Sequence, residues 1–396
     1  MTSNIYQVQG VTAAGVAAGL KKDGALDMAL ICSARPAAAA GVFTRNRVQA
    51  APVIVSREHV SNGRAGAVVV NSGCANACTG PEGLAHARKT AELTARELGI
   101  APEDVLVAST GVIGAPLDMD RVSDGIPELV KGLSPDGISR AAEAILTTDT
   151  FPKISRFRGR AGGRSYGIIG IAKGAGMIMP DMATMLCFVL TDIEIGAPAL
   201  RAALADCVSD TFNRITVDGD TSTNDMVLVL ANGSAGNGPL SKADTAGFRA
   251  GLRNVLEDLA RLIVRDGEGA TKLIHVEVAG AASPSDAERA ARCVANSSLV
   301  KTAFYGEDPN WGRIMAALGR SGAAMEETTV SIRVNGILLV EGGIGKGAAA
   351  EADAAREMKG KELTLAIDLG RGDHRDRVTT CDLTHDYISI NADYRS

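Results

Sequence analysis

Aromatic residues are scarce in this chain, and basic residues do not outnumber acidic ones. Phe, Tyr and Trp make up 3% of the 396 residues, so the core must be packed mainly from Ala, Val, Ile and Leu. A net charge of −5 and the lack of a Lys or Arg stripe argue against a nucleic-acid or anionic-membrane partner. No apolar run approaches the roughly 20 residues of a membrane span. We therefore expect neither a nucleic-acid-binding protein nor a membrane protein.

Targeting and disulfide signals are also missing. Residues 1–10 contain neither a basic stretch nor an apolar core, so we expect no signal peptide and a cytoplasmic location. Seven cysteines, an odd number spread along the chain, do not indicate a disulfide framework. Cys74 and Cys78 form a C-x3-C pair with no second pair and no flanking histidine. Free thiols are therefore favoured over a zinc site there.

Short apolar runs alternate with helical patterns, which predicts an α/β or α+β fold of one large unit or two to three domains. Predicted strands are 28–32, 52–55, 67–71, 105–109, 167–171, 185–191, 225–230, 273–278, 329–334 and 363–368. Predicted helices are 85–98, 138–146, 197–212, 246–264 and 286–295. Residues 159–165 predict a hairpin turn, and residues 232–240 predict an exposed connection before a helix.

Polar and glycine-rich segments recur beside the apolar strands, where functional residues are most often found. They are VNSGCANACTG (70–80), ASTGVIG (108–114), TTDTFPK (147–153), AKGAGMIMPDMATMLCFVLT (172–191), DGDTSTND (218–225), DGEGATK (266–272), YGEDPNWGR (305–313) and NADYRS (391–396).

The central segment, 172–191, has the features of a nucleophile site. Lys173 lies among glycines, a turn follows at 180–181, and Thr184 stands where an apolar strand begins. A hydroxyl between a turn and a buried strand is both fixed and accessible. Threonine is also a common strand residue, so this position alone leaves a purely structural role open. The glycines at 174–176 and 267–269 do not complete a phosphate-binding loop.

Taken in order, these segments resemble the ornithine acetyltransferase family, also called glutamate N-acetyltransferases, along essentially the whole chain. The most specific are KGAGMIMPDMATML, VDGDTSTNDMV and GEDPNWGRI. The resemblance implies that the precursor cuts itself between Ala183 and Thr184, into an alpha fragment of residues 1–183 and a beta fragment of residues 184–396. Thr184 is then the nucleophile, and its freed α-amine is the local base.

The resemblance also implies the reaction and the other site residues. Acetyl passes from N-acetylornithine to Thr184 and then to glutamate, in a ping-pong sequence without a metal or cofactor. Thr110 and Gly111 are the implied oxyanion donors, a backbone N–H plus a threonine hydroxyl. The implied substrate-binding residues are Thr147, Lys173, Thr184, Glu268, Asn391 and Ser396. Whether acetyl-CoA also serves as acetyl donor stays open.

The implied fold is a layered αββα sandwich similar to N-terminal nucleophile hydrolases, with a smaller second domain near the C-terminus. Two alpha and two beta fragments are expected to form a heterotetramer. Two alternatives remain: a self-cleaving amidohydrolase or aminopeptidase of the same fold, and a binding module without catalysis. The hydrolase alternative is disfavoured by the presence of Lys173, Glu268 and the NADYRS terminus, because such hydrolases are expected to lack them.

Overall fold

The computed structural model describes residues 7–179 and 185–393. Ala183, Thr184 and Ser396 lie outside these ranges, so the predicted cleavage position and one predicted substrate contact do too. The chain divides into unit 1 (Met1–Asn213 and Asp220–Ile263) and unit 2 (Arg214–Gly219 and Val264–Ser396). Within the described ranges, no helix combines the length and the apolar character needed to cross a bilayer.

Unit 1 is built on one eight-stranded sheet with the order β4-β3-β2-β8-β7-β6-β5, and β1 pairs with β2 at its side. The strands are β1 (Val11–Val16), β2 (Met28–Phe43), β3 (Arg64–Asn71), β4 (Val105–Ser109), β5 (Lys153–Ala161), β6 (Arg164–Lys173), β7 (Leu186–Thr191) and β8 (Met226–Ala231). The helices are α1 (Ala51–His59), α2 (Gly80–Leu98), α3 (Met119–Lys131), α4 (Ile138–Ala144), α5 (Ala197–Asp210) and α6 (Lys242–Arg265), which ends just inside unit 2.

Both faces of this sheet are buried, and successive residues of β2 show it. Ala29 and Ile31 belong to an apolar cluster that includes α4. Met28 and Leu30 belong to a second cluster that includes α2 and α3. Side chains alternate between the faces of a strand, so a strand covered on both sides is apolar throughout. This is why β2 begins as an unbroken run of apolar residues.

Strand directions bring several strand ends together. β3 and β4 are parallel, joined through α2, so Asn71 and Ser109 lie side by side where both strands end. β6 is antiparallel to β7, which places Lys173 opposite Leu186. The polar segments that follow β3, β4 and β6 are thus positioned by the sheet.

Unit 2 contains a six-stranded sheet with the order β12-β11-β10-β13-β9-β14. Its strands are β9 (Leu273–Ala281), β10 (Ser331–Val334), β11 (Ile337–Glu341), β12 (Ile344–Gly345), β13 (Glu362–Asp368) and β14 (His374–Cys381). Its helices are α7 (Pro284–Ala295), α8 (Ser298–Tyr305), α9 (Trp311–Gly319), α10 (Ala348–Glu357) and α11 (His385–Asp393). A separate apolar cluster joins α7 to this sheet. The Ser283 side chain caps α7 by accepting a hydrogen bond from the Asp286 N–H.

The predicted fold class, an αββα arrangement with a smaller C-terminal second domain, is confirmed. The predicted helices and nine of the ten predicted strands recur with shifted ends, and the 159–165 hairpin joins β5 to β6. The strand predicted at 52–55 is wrong, because these residues form the first turns of α1. Pro52 suits the start of a helix, where its missing N–H is not needed. A four-residue apolar run alone does not distinguish strand from helix.

Candidate active site

A buried carboxylate, that of Asp149, organises the polar residues of unit 1. Its side chain has no exposed surface. Oδ1 accepts hydrogen bonds from the Lys153 ammonium and the Gly174 N–H, both at 2.6 Å. Oδ2 accepts from the Thr147 N–H at 3.1 Å and lies 3.9 Å from the Lys173 Nζ. One carboxylate therefore joins the segment before β5, the first residue of β5 and the end of β6.

The charge state of Asp149 follows from these neighbours. Burial alone would raise the pKa of the carboxyl, but the Lys173 and Lys153 charges and the Gly174 N–H outweigh burial and lower it to about 2. Asp149 is therefore ionised throughout the neutral range. Its negative charge lies against those of two lysines.

Lys173 is a predicted site residue that contacts two others, Thr147 and Thr110. Its Nζ donates to the Thr147 hydroxyl at 2.6 Å and to the Thr110 hydroxyl at 3.2 Å. Lys173 is buried, with 8% of its surface exposed. Because an ammonium only donates, each hydroxyl accepts from it and can direct its own proton elsewhere. The arrangement offers a polarised hydroxyl donor at Thr110.

The turn after β4 supplies the other predicted oxyanion donor. The Thr110 N–H is already used, since it donates to the Asn71 carbonyl at 3.0 Å. Among the described residues, the Gly111 N–H has no acceptor. Gly111 has φ +132°, and a Cβ there would lie 2.3 Å from the carbonyl carbon of Gly73. Only glycine fits this position. The available donors are therefore the Thr110 hydroxyl and the Gly111 N–H.

The DGDTSTND segment and the first residue of β8, which follows it, hydrogen-bond both described ends of the central segment. The Thr221 hydroxyl donates to the Met179 carbonyl at 2.8 Å. On the other side, the Met226 N–H donates to the Met185 carbonyl at 3.0 Å. Asn224 extends the contacts to the end of β4, since its Nδ2 donates to the Ser109 carbonyl at 2.8 Å.

Asp225 is a second buried carboxyl in this segment. Burial raises its pKa well above the usual range, and hydrogen bonds from the Ser222 hydroxyl and the Met185 N–H, with the Lys173 charge, offset burial only in part. Within residues 7–179 and 185–393, its Oδ2 has no hydrogen-bond partner. Burial thus favours the protonated form. Asp149 and Asp225 were not predicted individually, although the segments TTDTFPK and DGDTSTND that contain them were.

Two further predicted residues, Glu268 and Asn391, meet in unit 2. The Asn391 Nδ2 donates to the Glu268 Oε2 at 2.7 Å, and Glu268 is 9% exposed. The loop that carries Glu268 packs against the start of α11, where the Thr384 hydroxyl donates to the Gly269 carbonyl. The predicted roles of Thr184, Ala183 and Ser396 stay predictions, because these residues are outside the described ranges.

One family model and several known proteins match this chain over nearly its whole length. A family model described as the ArgJ family matches residues 12–396. The chain is 52% identical over 391 residues to the arginine biosynthesis bifunctional protein ArgJ of Geobacter sulfurreducens, covering 98% of this chain and 100% of the relative. It is 53% identical over 392 residues to the protein of that name from Symbiobacterium thermophilum, covering 98% and 97%.

Two solved structures are also similar. The ArgJ crystal structure from Bacillus halodurans shares 44% identity at a TM-score of 0.49, covering 51% of this chain and 95% of that chain. The ornithine acetyltransferase of Mycobacterium tuberculosis, solved with ornithine, shares 41% identity at a TM-score of 0.41, covering 46% and 96%.

The Asp149 cluster predicts a pH-dependent loss of stability in Asp149→Asn. The pKa of Asp149 is about 2 in the folded protein, below its value in the unfolded chain. Asp149 therefore stabilises the fold fully at pH values above its unfolded pKa, and this stabilisation is lost as the pH falls toward 2. Removing one partner of a buried pair costs about 3–5 kcal/mol. Urea unfolding should show this deficit at pH 7 and a smaller one at pH 3.

Glu58→Gln is the matched control, because Glu58 pairs with Arg88 where both side chains are about half exposed. An exposed pair contributes roughly 0–1 kcal/mol. Equal losses in the two variants would show that Asp149 does not have the predicted structural role.

The close approach of Gly111 and Gly73 predicts that Gly111→Ala loses activity through a displaced turn. Removing one oxyanion donor typically lowers kcat by about 10²–10³. Gly114→Ala is the control in the same turn, since Gly114 also has a positive φ but open space around its Cβ position. Steady-state kinetics of both variants test this, and similar kcat values for them would contradict it.

Proposed function

The chain belongs to the ArgJ family, and from this premise we propose that it transfers an acetyl group from N2-acetyl-L-ornithine to L-glutamate. The products are L-ornithine and N-acetyl-L-glutamate. The observation that carries the proposal is the contact of Lys173 with both Thr110 and Thr147, beside a Gly111 N–H that has no acceptor in the described part of the chain. An acyl-transfer enzyme needs such a cluster, because charge develops on the acyl oxygen in each half-reaction.

In the first half-reaction, the Thr184 hydroxyl attacks the acetamide carbon of acetylornithine. The electron pair of the C=O bond moves onto oxygen, and the Thr110 hydroxyl and the Gly111 N–H stabilise that oxyanion. The intermediate collapses by breaking the C–N bond, and the proton taken from Thr184 leaves on the amine of ornithine. The acetyl group then remains as an ester on Thr184.

In the second half-reaction, the α-amine of glutamate attacks this ester. The same donors stabilise a second oxyanion, and the Thr184 oxygen leaves and takes back a proton. N-acetylglutamate is released, and the threonine is ready for another cycle. Because both steps place charge on the same oxygen, one set of donors serves both.

Self-cleavage between Ala183 and Thr184 precedes this cycle in our proposal. The Thr184 hydroxyl attacks the preceding carbonyl, and water opens the resulting ester. The freed α-amine then accepts the hydroxyl proton during acetyl transfer. The alpha and beta fragments, their assembly as a heterotetramer and the cytoplasmic location stay predictions.

Glu268 and Asn391 support an amino-acid substrate. A buried carboxylate held by an amide at 2.7 Å provides a fixed negative charge, which suits the ammonium of ornithine. The relatives' name, a bifunctional protein, leads us to propose acetyl-CoA as a second donor to be assayed. Acetylornithine plus glutamate and acetyl-CoA plus glutamate, assayed side by side, separate the single-activity and two-activity enzymes.

Replacement of the nucleophile provides the most direct test. Thr184→Ala should yield an uncut, full-length and inactive chain, because cleavage and transfer share one hydroxyl. In the native protein, acetylornithine alone should add one acetyl group to the fragment that begins at Thr184. Intact-mass spectrometry measures both outcomes, and measurable acetyl transfer by Thr184→Ala would remove this residue from its role.

Lys173→Met separates two roles of the lysine. A lysine that pairs with the carboxylate common to both substrates changes KM for both, whereas one that polarises Thr110 changes kcat. Its hydrogen bond to the Thr110 hydroxyl leads us to expect a kcat loss of about tenfold or more, the value of a charge-assisted hydrogen bond. Steady-state kinetics decide, and a change confined to KM would assign Lys173 to substrate binding alone.

A further inference from the structure

A loop between β1 and β2 is fastened to the turn that follows β3. The buried Asp27 carboxylate accepts hydrogen bonds from the Ala18 N–H at 2.7 Å and the Lys21 N–H at 3.0 Å. The Asp27 carbonyl in turn accepts from the Ser72 N–H at 2.8 Å. Residues 18–27 therefore have a fixed position against residues 72–73.

In this position the stem of the Lys21 side chain packs against Gly73. A Cβ on Gly73 would lie 3.4 Å from the Lys21 Cγ, and Gly73 is also packed against Gly111. Gly73 therefore contacts both the Lys21 stem and the turn that carries the proposed oxyanion donors. Lys21 lies beside the proposed site although no motif pointed to it.

The Lys21 ammonium has spare hydrogen-bonding capacity. Its Nζ donates to the Leu26 carbonyl at 2.8 Å, and within the described ranges no carboxylate lies within ion-pair distance of it. An ammonium carries three N–H donors, so donors remain for a ligand. Partial burial of a lysine without an ion pair is unfavourable, and a bound anion would relieve it.

The charges around Lys21 connect it to the same site. Burial lowers the pKa of Lys21, the nearby Asp27 and Asp23 raise it, and the Lys173 charge lowers it again. Asp149 also acts on it. Lys21 and Lys173 are therefore two separate cations that influence each other, one in contact with Thr110 and one beyond Gly73.

The covalent structure of the substrates distinguishes the two cations. The reacting acetyl group is on the α-nitrogen, so the α-carboxylate is close to the oxyanion, and acetylornithine and glutamate share it. The side-chain end is several bonds further away, and there the two substrates differ: ornithine has an ammonium and glutamate a carboxylate. A cation whose stem packs on Gly73, and which is not the one in contact with Thr110, suits this distal group.

We propose that Lys21 binds the side-chain carboxylate of the acceptor glutamate and so selects glutamate for the second half-reaction. This inference rests on the proposed function. It predicts a discrimination that Lys173 cannot provide, because a lysine that polarises Thr110 serves both half-reactions alike.

The test measures the two half-reactions separately in Lys21→Met. Ornithine release on mixing with acetylornithine reports the first, and loss of the acetyl group from the isolated acetyl-enzyme on adding glutamate reports the second. We expect the half-saturating glutamate concentration to rise roughly tenfold or more, the value of a charge-assisted hydrogen bond. The half-saturating acetylornithine concentration should stay within about threefold. The preference for glutamate over glutamine as acceptor should fall by a similar factor.

Lys22→Met is the matched control, because Lys22 is the neighbouring lysine and is exposed. It should leave both half-reactions unchanged. Lys21→Arg, which keeps the charge, should retain most of the preference for glutamate over glutamine. This variant also supplies a readout if Lys21→Met folds poorly, and its loss of that preference with normal glutamine transfer would argue against a simple charge role.

The outcomes distinguish failure of the Lys21 proposal from failure of the proposed acetyl-transfer function. A native protein that forms no acetyl-enzyme from acetylornithine overturns both. A native protein active in both half-reactions, with a Lys21→Met variant that keeps its affinity for glutamate, overturns the inference alone. Equal weakening of both substrates would assign Lys21 to the α-carboxylate and would also overturn it.

Discussion

The buried Asp149 carboxylate is the interaction on which the proposed site depends. It binds Lys153, the Gly174 N–H and the Thr147 N–H directly, and it keeps Lys173 within 3.9 Å. Burying a carboxylate is costly unless charges and N–H groups replace its water, and here they do. This one negative charge lies against two lysines, and Lys173 also donates hydrogen bonds to the Thr147 and Thr110 hydroxyls.

A backbone constraint provides the second part of the arrangement. Gly111 and Gly73 approach so closely that neither turn can move without the other. Thr110 and Gly111 belong to one of these turns, and the stem of Lys21 packs on Gly73 in the other. Oxyanion donors must be fixed before charge develops, since reorganising them during the reaction would cost free energy. Glycine packing meets this requirement without a metal ligand or a disulfide among the residues involved.

Among the described residues, local sequence patterns predicted nine of the fourteen strands and five of the eleven helices. The strands were recognised because a doubly covered sheet gives continuous apolar runs. The same patterns did not predict the α1 start, where Pro52 begins a helix inside a short apolar run. The family resemblance named Thr110, Thr147 and Lys173, which the structure brings into contact, and Glu268 with Asn391, which form a pair. Asp149, Asp225 and Lys21 were missed because their significance lies in burial and distant partners. A single aspartate in a polar segment gives no sign that two lysines will surround it.

A ping-pong enzyme for these substrates must admit a cationic side chain and then an anionic one without changing its own charges. Fixed charges of both signs, placed apart, meet this need better than one neutral pocket, because each side chain can be attracted by its own partner. The buried carboxyl of Asp225 also affects the charges around Lys173. Burial raises its pKa well above the usual range, whereas the neighbouring lysines lower the pKa of Asp149 despite burial. The Lys173 charge acts on both carboxyls, but the raised pKa makes Asp225 the weaker opponent of that charge. Burial of Asp225 therefore favours the positive charge beside Thr110 on which the proposed oxyanion stabilisation depends.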